Sequence, residues 1–356
     1  MSYQLTIEPL GQTVEVAEGQ TILDACLRAG IWLPHACGHG LCGTCKVQAS
    51  GGELEHGEAS PFALMDFERD EGKCLACTAT VQTDITIEAD IDPDPDAQCL
   101  PLMDYQARVA RIETLTPTIK GVFLEIEHEH GDAALRFQPG QYVNLWLAGE
   151  AAPRAFSIAS APSSREVELN IRLVPGGKVT SYVHDGLKVG EQVMLSGPLG
   201  RFFVRKSDPR PLLFIAGGSG LSSPRSMVLD LLESGDTRPI RLIQGARTLD
   251  ELYYRAEFEQ LAARHPNFEY LPVLSGEPQD SAWAGERGYV HELAVRHFGQ
   301  DFRGWRAYLC GPPPMIEASI AALMQGRLFE KDIFTEKFLS AADAGQAVRS
   351  PLFRSL

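Results

Sequence analysis

Nine residues, Cys37-Gly38-His39-Gly40-Leu41-Cys42-Gly43-Thr44-Cys45, constrain this 356-residue chain more than any other stretch of it. A loop this rich in thiols and glycines is poor core material and good ligand material. Soft thiolates suit iron and sulfide, and glycines at 38, 40 and 43 let backbone N–H groups approach the sulfurs in dihedrals other residues avoid. C-x4-C-x2-C is a [2Fe–2S] spacing that draws its fourth cysteine from far along the chain. The competing reading is a structural zinc site, built from C-x2–4-C pairs matched by a second pair. A second pair exists, Cys74-x-x-Cys77, so spacing alone leaves both the metal and the fourth ligand open. Cys26 reads as a core residue of a short helix opened by Thr21-x-x-Asp24 and closed by Gly30. Cys99 falls in a linker, and His35 and His39 read as loop residues.

Charge divides the chain. Residues 1–98 hold 17 acidic and 4 basic residues, a net of −13, whereas the remainder nets only −2 of the overall −15. Such a balance disfavours nucleic acid, whose phosphates need clustered Lys and Arg. No run approaches the roughly 18 apolar residues of a membrane span, and Met1-Ser2-Tyr3-Gln4 lacks the regions of a secretory signal. The expectation is a cytoplasmic protein with no membrane partner, its eight cysteines held as thiols. Ile91-Asp92-Pro93-Asp94-Pro95-Asp96 cannot build a core and reads as an extended connection. After it, short alternating segments such as Tyr142–Trp146 and 166–173 suggest an antiparallel barrel ending near Phe203. From Pro211 onward, buried strands at Leu212–Ala216, Ile240–Gln244, Tyr270–Leu274 and Ala307–Leu309 alternate with helical stretches, as in a doubly wound parallel sheet.

Four segments in this second part carry chemistry. Arg154-Ala155-Phe156-Ser157 offers a guanidinium able to grip a phosphate bidentately, an aromatic face and a hydroxyl. Gly176-Gly177-Lys178-Val179-Thr180 reads as a turn into a helix, where the N–H groups of Gly177 to Thr180 suit a pyrophosphate. Phe214-Ile215-Ala216-Gly217-Gly218-Ser219-Gly220-Leu221-Ser222-Ser223-Pro224 reads as strand, glycine turn and helix, a second pyrophosphate cradle at Gly218, Ser219 and Gly220. Leu309-Cys310-Gly311-Pro312-Pro313-Pro314-Met315 places a cysteine at a strand end, where a buried core thiol is the bland alternative.

Each segment resembles a motif of the ferredoxin–NADP reductase superfamily: Arg-x-Tyr/Phe-Ser, Gly-Gly-x-Gly-x-x-Pro with Ser219 where Thr is commoner, and Cys-Gly-Pro-Pro-x-Met. Lys73-Cys74-Leu75-Ala76-Cys77-Thr78-Ala79, followed by Asp84-Ile85-Thr86-Ile87, resembles the plant-type ferredoxin segment in which Leu-x-Cys-x-Ala precedes a final strand. That register implies Cys77 as the fourth cluster ligand beside Cys37, Cys42 and Cys45. The order of parts resembles the oxygenase reductases, and His39-Gly40, 59–66, 218–224 and 324–330 resemble the reductase family of multicomponent phenol hydroxylases. The resemblance implies a multidomain α+β and α/β chain: a β-grasp [2Fe–2S] ferredoxin domain over 1–92, a linker 93–101, an antiparallel β-barrel FAD domain over 102–207, a doubly wound parallel-sheet nicotinamide domain over 208–345, and a tail 346–356.

It further implies that NADH reduces FAD, which passes electrons through the cluster to a diiron oxygenase component. Cys310 is expected beside the nicotinamide C4 and Ser157 near the flavin N5. Arg154, Ala155, Phe156, Ser157, Gly177, Lys178, Val179 and Thr180 are expected around the flavin, with Phe338 covering its second face. Gly218, Ser219, Gly220, Arg247, Gly311 and Pro312 are expected around the nicotinamide dinucleotide. Arg247 could bind either the NADH diphosphate or the 2′-phosphate of NADPH, so NADPH stays open. The same architecture could serve a Rieske dioxygenase or another diiron monooxygenase. A redox sensor would carry a DNA- or effector-binding module, which the sequence does not show.

Overall fold

The computed structural model describes residues 1–91, 93–127, 134–147 and 152–338. Asp92, the end of the expected nicotinamide domain (339–345) and the tail 346–356 lie outside the described residues. The chain forms two units, Met1–Met103 and Asp104–Leu356.

In the first unit, alternation puts Leu5, Ile7, Val16 and Ile87 inward, all fully buried. Their strands form a five-stranded sheet in the order Gln12–Ala17, Ser2–Glu8, Ile85–Glu88, Lys46–Ser50, Lys73–Leu75. Ser2–Glu8 and Ile85–Glu88 run parallel at its centre, flanked by antiparallel pairs. The helix Ile22–Arg28 covers this sheet with Ile22, Leu23, Ala25 and Cys26, and the Thr21 hydroxyl caps it by accepting from the Asp24 N–H. Gly30 ends it in the left-handed region. A mixed sheet grasping one helix is the β-grasp arrangement. The end of the expected linker packs against this helix, because Leu102 N–H donates to the Leu27 carbonyl and Cys99 lies against Gly30. The cysteine loop sits between the helix and the strand Lys46–Ser50.

The second unit holds two sheets. Six strands follow the order Arg154–Ser157, Tyr142–Trp146, Gln192–Leu199, Met103–Thr114, Ile119–Ile126, Val167–Arg172. An isolated antiparallel bridge, Ile158 to Leu169, brings the two end strands together into a nearly closed barrel. Val109, Val122, Leu124, Val143, Leu169 and Ile171 fill it, as period-2 alternation requires. The other sheet is entirely parallel, in the order Glu286–Arg287, Phe268–Leu274, Ile240–Ala246, Leu212–Gly217, Arg306–Gly311, Ile333–Lys337. The central strand Leu212–Gly217 is apolar throughout, Leu212 to Ala216 being wholly buried, because helices cover both faces. The strand order reverses between Leu212–Gly217 and Arg306–Gly311, and in such sheets ligands bind beyond the carboxyl ends at that switch point.

Candidate redox site

The cysteine loop is shaped by its glycines. Gly38, Gly40 and Gly43 have φ of +71°, +72° and +75°. A Cβ on Gly40 would also stand 2.9 Å from both the Glu58 carbonyl and the Thr78 side chain. Close packing against 58–60, fixed by the Ser60 N–H bond to the Gly40 carbonyl, turns the Gly40 N–H onto Cys77 Sγ at 3.3 Å. The His39 N–H likewise points at Cys37 Sγ, at 3.4 Å. Backbone donors of this kind stabilise anionic sulfur.

The thiols stand in two pairs. Cys45 and Cys77 share a hydrogen bond that pulls Cys45 down to about 6 and pushes Cys77 up, as expected when one proton serves two sulfurs. Cys42 is lowered, its hydrogen bonds with Thr44 and Cys37 outweighing burial. Two thiol pairs suit two irons better than one tetrahedral zinc. Cys74 is fully buried on the strand Lys73–Leu75, opposite Val47, and burial pushes its thiol up to about 12. Cys26 behaves the same way in the helix core. Of the two cysteines left open by spacing, Cys77 is the one facing the loop.

The second site lies at the switch point. Ala216 is in register with Cys310, and Cys310 with Glu336, across three parallel strands. The turn Gly218–Leu221 is a short 3-10 helix leading into the helix Ser222–Glu233, with Pro224 in the first turn, where its missing N–H costs nothing. Gly220 is glycine for a packing reason: a Cβ there would meet the Cys310 carbonyl oxygen at 2.4 Å. The open position is Gly218, where a Cβ would find only Arg172 Nη1 at 3.4 Å. Gly311 and Pro312 start the helix Pro313–Gln325 on the neighbouring turn.

Glu336 organises this cleft. Its Oε2 accepts from Ser157 Oγ at 3.2 Å and Ser223 Oγ at 2.9 Å, and stands 3.6 Å from Cys310 Sγ. Burial raises the Glu336 carboxyl above the usual carboxylate range. Burial also holds Cys310 a neutral thiol, reinforced by the Glu336 charge. Tyr142 is pushed up to about 12 by burial and then by Glu336. The two residues expected to be catalytic, Ser157 and Cys310, therefore meet at one carboxylate, in the segment Glu336-Lys337-Phe338, of which the resemblance gave a role only to Phe338. The strand that carries it, Ile333-Phe334-Thr335-Glu336-Lys337, is short and has no apolar alternation to mark it as an edge strand. Ser223, Arg172 and Tyr253, whose hydroxyl donates to the Gly218 carbonyl at 2.9 Å, were also not anticipated.

The remaining expected residues line the same unit. Arg154 and Ala155 are exposed on the strand that carries Ser157, and Arg154 donates to the Ala152 and Pro153 carbonyls. Phe156 and Val179 pack on one barrel core. Gly177 caps the helix Lys178–Asp185, whose first-turn N–H groups have no intrahelical partner, and the Thr180 hydroxyl folds back onto the Gly177 carbonyl. An exposed strand-borne guanidinium and a helix N-terminus on one barrel fit a flavin phosphate. Phe338 N–H donates to the Gly311 carbonyl, placing Phe338 beside the turn that follows Cys310. Arg247 is exposed at the end of Ile240–Ala246, against Gly276. Ser219 lies within the glycine turn.

This geometry defines a flavin- and nicotinamide-dependent iron–sulfur reductase, and three family models match its parts in turn. Residues 5–82 match the 2Fe-2S iron-sulfur cluster binding domain, 106–204 the oxidoreductase FAD-binding domain, and 214–320 the oxidoreductase NAD-binding domain. The chain is 58% identical to the reductase component of phenol 2-monooxygenase from Pseudomonas sp. (strain CF600), covering 100% of both chains. It is 57% identical to the phenol hydroxylase P5 protein of Acinetobacter pittii (strain PHEA-2), again over 100% of both. A crystal structure of an Amycolatopsis cytochrome P450 reductase superposes with a TM-score of 0.83 at 34% identity, covering 94% of this chain and 98% of that one. The chain belongs to the family of ferredoxin–NADP reductase-type oxygenase reductases that carry an N-terminal [2Fe–2S] domain. It transfers electrons from NADH through FAD and a [2Fe–2S] cluster to an oxygenase component.

Proposed function

We propose that the oxygenase served is the diiron hydroxylase of a phenol-hydroxylating system. The observation that carries this is the 57–58% identity to two phenol hydroxylase reductases over every residue of both chains. Fold alone does not choose the acceptor, since a P450 reductase shares it. Reconstitution tests it: NADH oxidation with a phenol hydroxylase oxygenase should become phenol-dependent and yield hydroxylated product. Delivery to a Rieske oxygenase, with none to the diiron one, would assign a different system.

A flavin held here would supply hydride acceptance and single-electron delivery to a one-electron cluster; the chain's own residues set the geometry. We assign the cluster to Cys37, Cys42, Cys45 and Cys77, with the Gly40 and His39 N–H groups donating to two of the sulfurs. Arg154 and the N–H groups of Gly177 to Thr180 hold the flavin phosphates, Phe156 supports the ring, and the Ser157 hydroxyl donates a hydrogen bond to Glu336. Gly218, Ser219 and Gly311 admit the nicotinamide dinucleotide, with Arg172 supplying a cation beside Gly218. Cys310 presents its neutral thiol to the nicotinamide, and Phe338 closes the cleft. The exposed Asp250 follows Arg247 in its loop, and the half-buried Glu277, next to the Gly276 that Arg247 packs against, accepts from Leu249 N–H. Their charge opposes a 2′-phosphate, so NADH is the substrate expected to show the higher kcat/KM in direct comparison with NADPH. Eight cysteines outside disulfides fit a reducing, cytoplasmic setting, and the domain boundaries 1–92, 93–101, 102–207, 208–345 and 346–356 are part of the same proposal.

A further inference from the structure

Behind the cleft lies a second buried polar network, with no counterpart in the sequence motifs. Arg225, on the first turns of the helix Ser222–Glu233, is 8% exposed. Its Nη1 donates to the Ala159 carbonyl at 2.7 Å and to Glu168 Oε2 at 2.8 Å. Its Nε and Nη2 grip Glu257 at 2.7 and 2.9 Å, and its guanidinium lies 4.1 Å over the Tyr254 ring. Glu168, 4% exposed on the barrel strand Val167–Arg172, also accepts from the Tyr254 hydroxyl. Ser226 donates to the Ser160 carbonyl at 2.7 Å. Burial opposes the Arg225 charge, yet its bonds to Glu257 and the charge of Glu168 hold it firmly cationic.

Ala159 and Ser160 directly continue the strand Arg154–Ser157, and Ser223 of the same helix holds Glu336. One turn of the helix that follows the glycine turn thus grips the barrel on both sides of Ser157: through Ser223 and Glu336 in the cleft, and through Arg225 and Ser226 behind it. Buried ion networks often stabilise no better than apolar packing would, but their bonds are directional. Hydride transfer needs reacting atoms aligned closely, and a misplacement of about 1 Å costs on the order of 100-fold. We propose that Arg225, anchored by Glu168, is a positioning residue for hydride transfer, fixing the register of the nicotinamide-side helix against the flavin strand.

The proposal rests on placing the flavin at Arg154–Ser157, so its test separates the two. The informative contrast is Glu168→Gln, which weakens the grip across to the barrel, against Glu257→Gln, which weakens an ion pair made within the nicotinamide-side half. A cavity of about 470 Å³ borders Glu168 and Arg225 and gives the first variant room to relax. In anaerobic stopped flow, E168Q is expected to reduce flavin between about 10- and 100-fold more slowly at saturating NADH, with FAD content and NADH affinity retained and a larger isotope effect from 4-deuterated NADH. E257Q should stay within about twofold of wild type. R225K, which keeps the charge but loses the planar fork, should follow E168Q. Hydrogen exchange without nucleotide gives a readout apart from activity: E168Q should expose amides in both 158–162 and 223–228, E257Q only in the latter. Equal slowing in E168Q and E257Q, wild-type rates in R225K, or slowing that tracks FAD loss would each overturn the proposal. Retention of FAD by Arg154→Ala would overturn the flavin placement instead.

Discussion

Three of the four proposed cluster ligands lie within nine residues, whereas the side chains meeting at Glu336 come from positions 157, 223, 310 and 336. A local loop writes its chemistry in spacing, because glycine dihedrals and short chain lengths force the sulfurs together. The cleft writes its chemistry in sheet register: Cys310 faces Glu336 only because two parallel strands align residue for residue, and no sequence interval encodes that. The first site should therefore fail all at once when one ligand goes, and the second by degrees.

The largest effect is expected from Cys77→Ser. The cluster absorbance and iron should be lost while FAD stays, so that NADH still reduces ferricyanide but the oxygenase receives nothing. Cys74→Ser should keep its cluster, since Cys74 is fully buried in the sheet core whereas Cys77 accepts from the loop's Gly40 N–H; if C74S instead loses iron and C77S does not, the register is wrong. Next comes Cys310→Ala, which should slow flavin reduction by about 10- to 100-fold, read as ΔΔG‡, with FAD and cluster contents unchanged. A wild-type rate in stopped flow would remove Cys310 from the nicotinamide site.

Gly220→Ala tests the packing reading of the glycine turn. With a Cβ driven onto the Cys310 carbonyl, overpacking should cost about 1–3 kcal/mol, seen as a lower urea midpoint. Gly218→Ala should cost less, its strain being confined to a φ of +56°. If the two cost the same, the turn is not built against Cys310.

Much of the fold was legible because its signals are local. The apolar run Leu212–Ala216, the glycine turn and the barrel alternation around Tyr142–Trp146 each declare an element type within a few residues. The strand Ile333–Lys337 was not legible: it is short, half-exposed and polar at Glu336, and only its partner strand makes it a strand. Arg225 and Glu168 were missed for the same reason, being 57 positions apart and joined only by packing. The glycine at 220 was noticed for phosphate access, while its packing against the Cys310 carbonyl was not legible, since the two leave the same mark on a sequence.

Two smaller effects refine the contrast. Burial raises both Glu336 and Glu168 above their ordinary 4.5, so the folded protein binds these protons more tightly than the unfolded chain does. Their contribution to stability is full below about 4.5 and is lost as pH rises through the elevated folded values. Glu336→Gln and Glu168→Gln should each remove part of that decline in urea midpoints measured from acid to neutral pH; an unchanged slope would show the carboxyls to be unperturbed. The smallest effect concerns the first unit's charge, a net of −13 over residues 1–98. Exposed charge is screened over roughly 8 Å at physiological ionic strength, so added salt should slow delivery to a basic oxygenase surface while leaving flavin reduction nearly constant. A flat delivery rate would leave solubility as the role of the acidity.

The central claim is the order of electron flow, and a single experiment reaches it most directly. Wild-type protein and C310A are mixed anaerobically with NADH, and the flavin and cluster bands are followed separately. The flavin band should bleach first and the cluster band after it, with C310A slowing the first event and leaving the second to follow it at its own pace. Cluster bleaching that precedes flavin bleaching, or that keeps its wild-type timing when flavin reduction is slowed, would contradict the account.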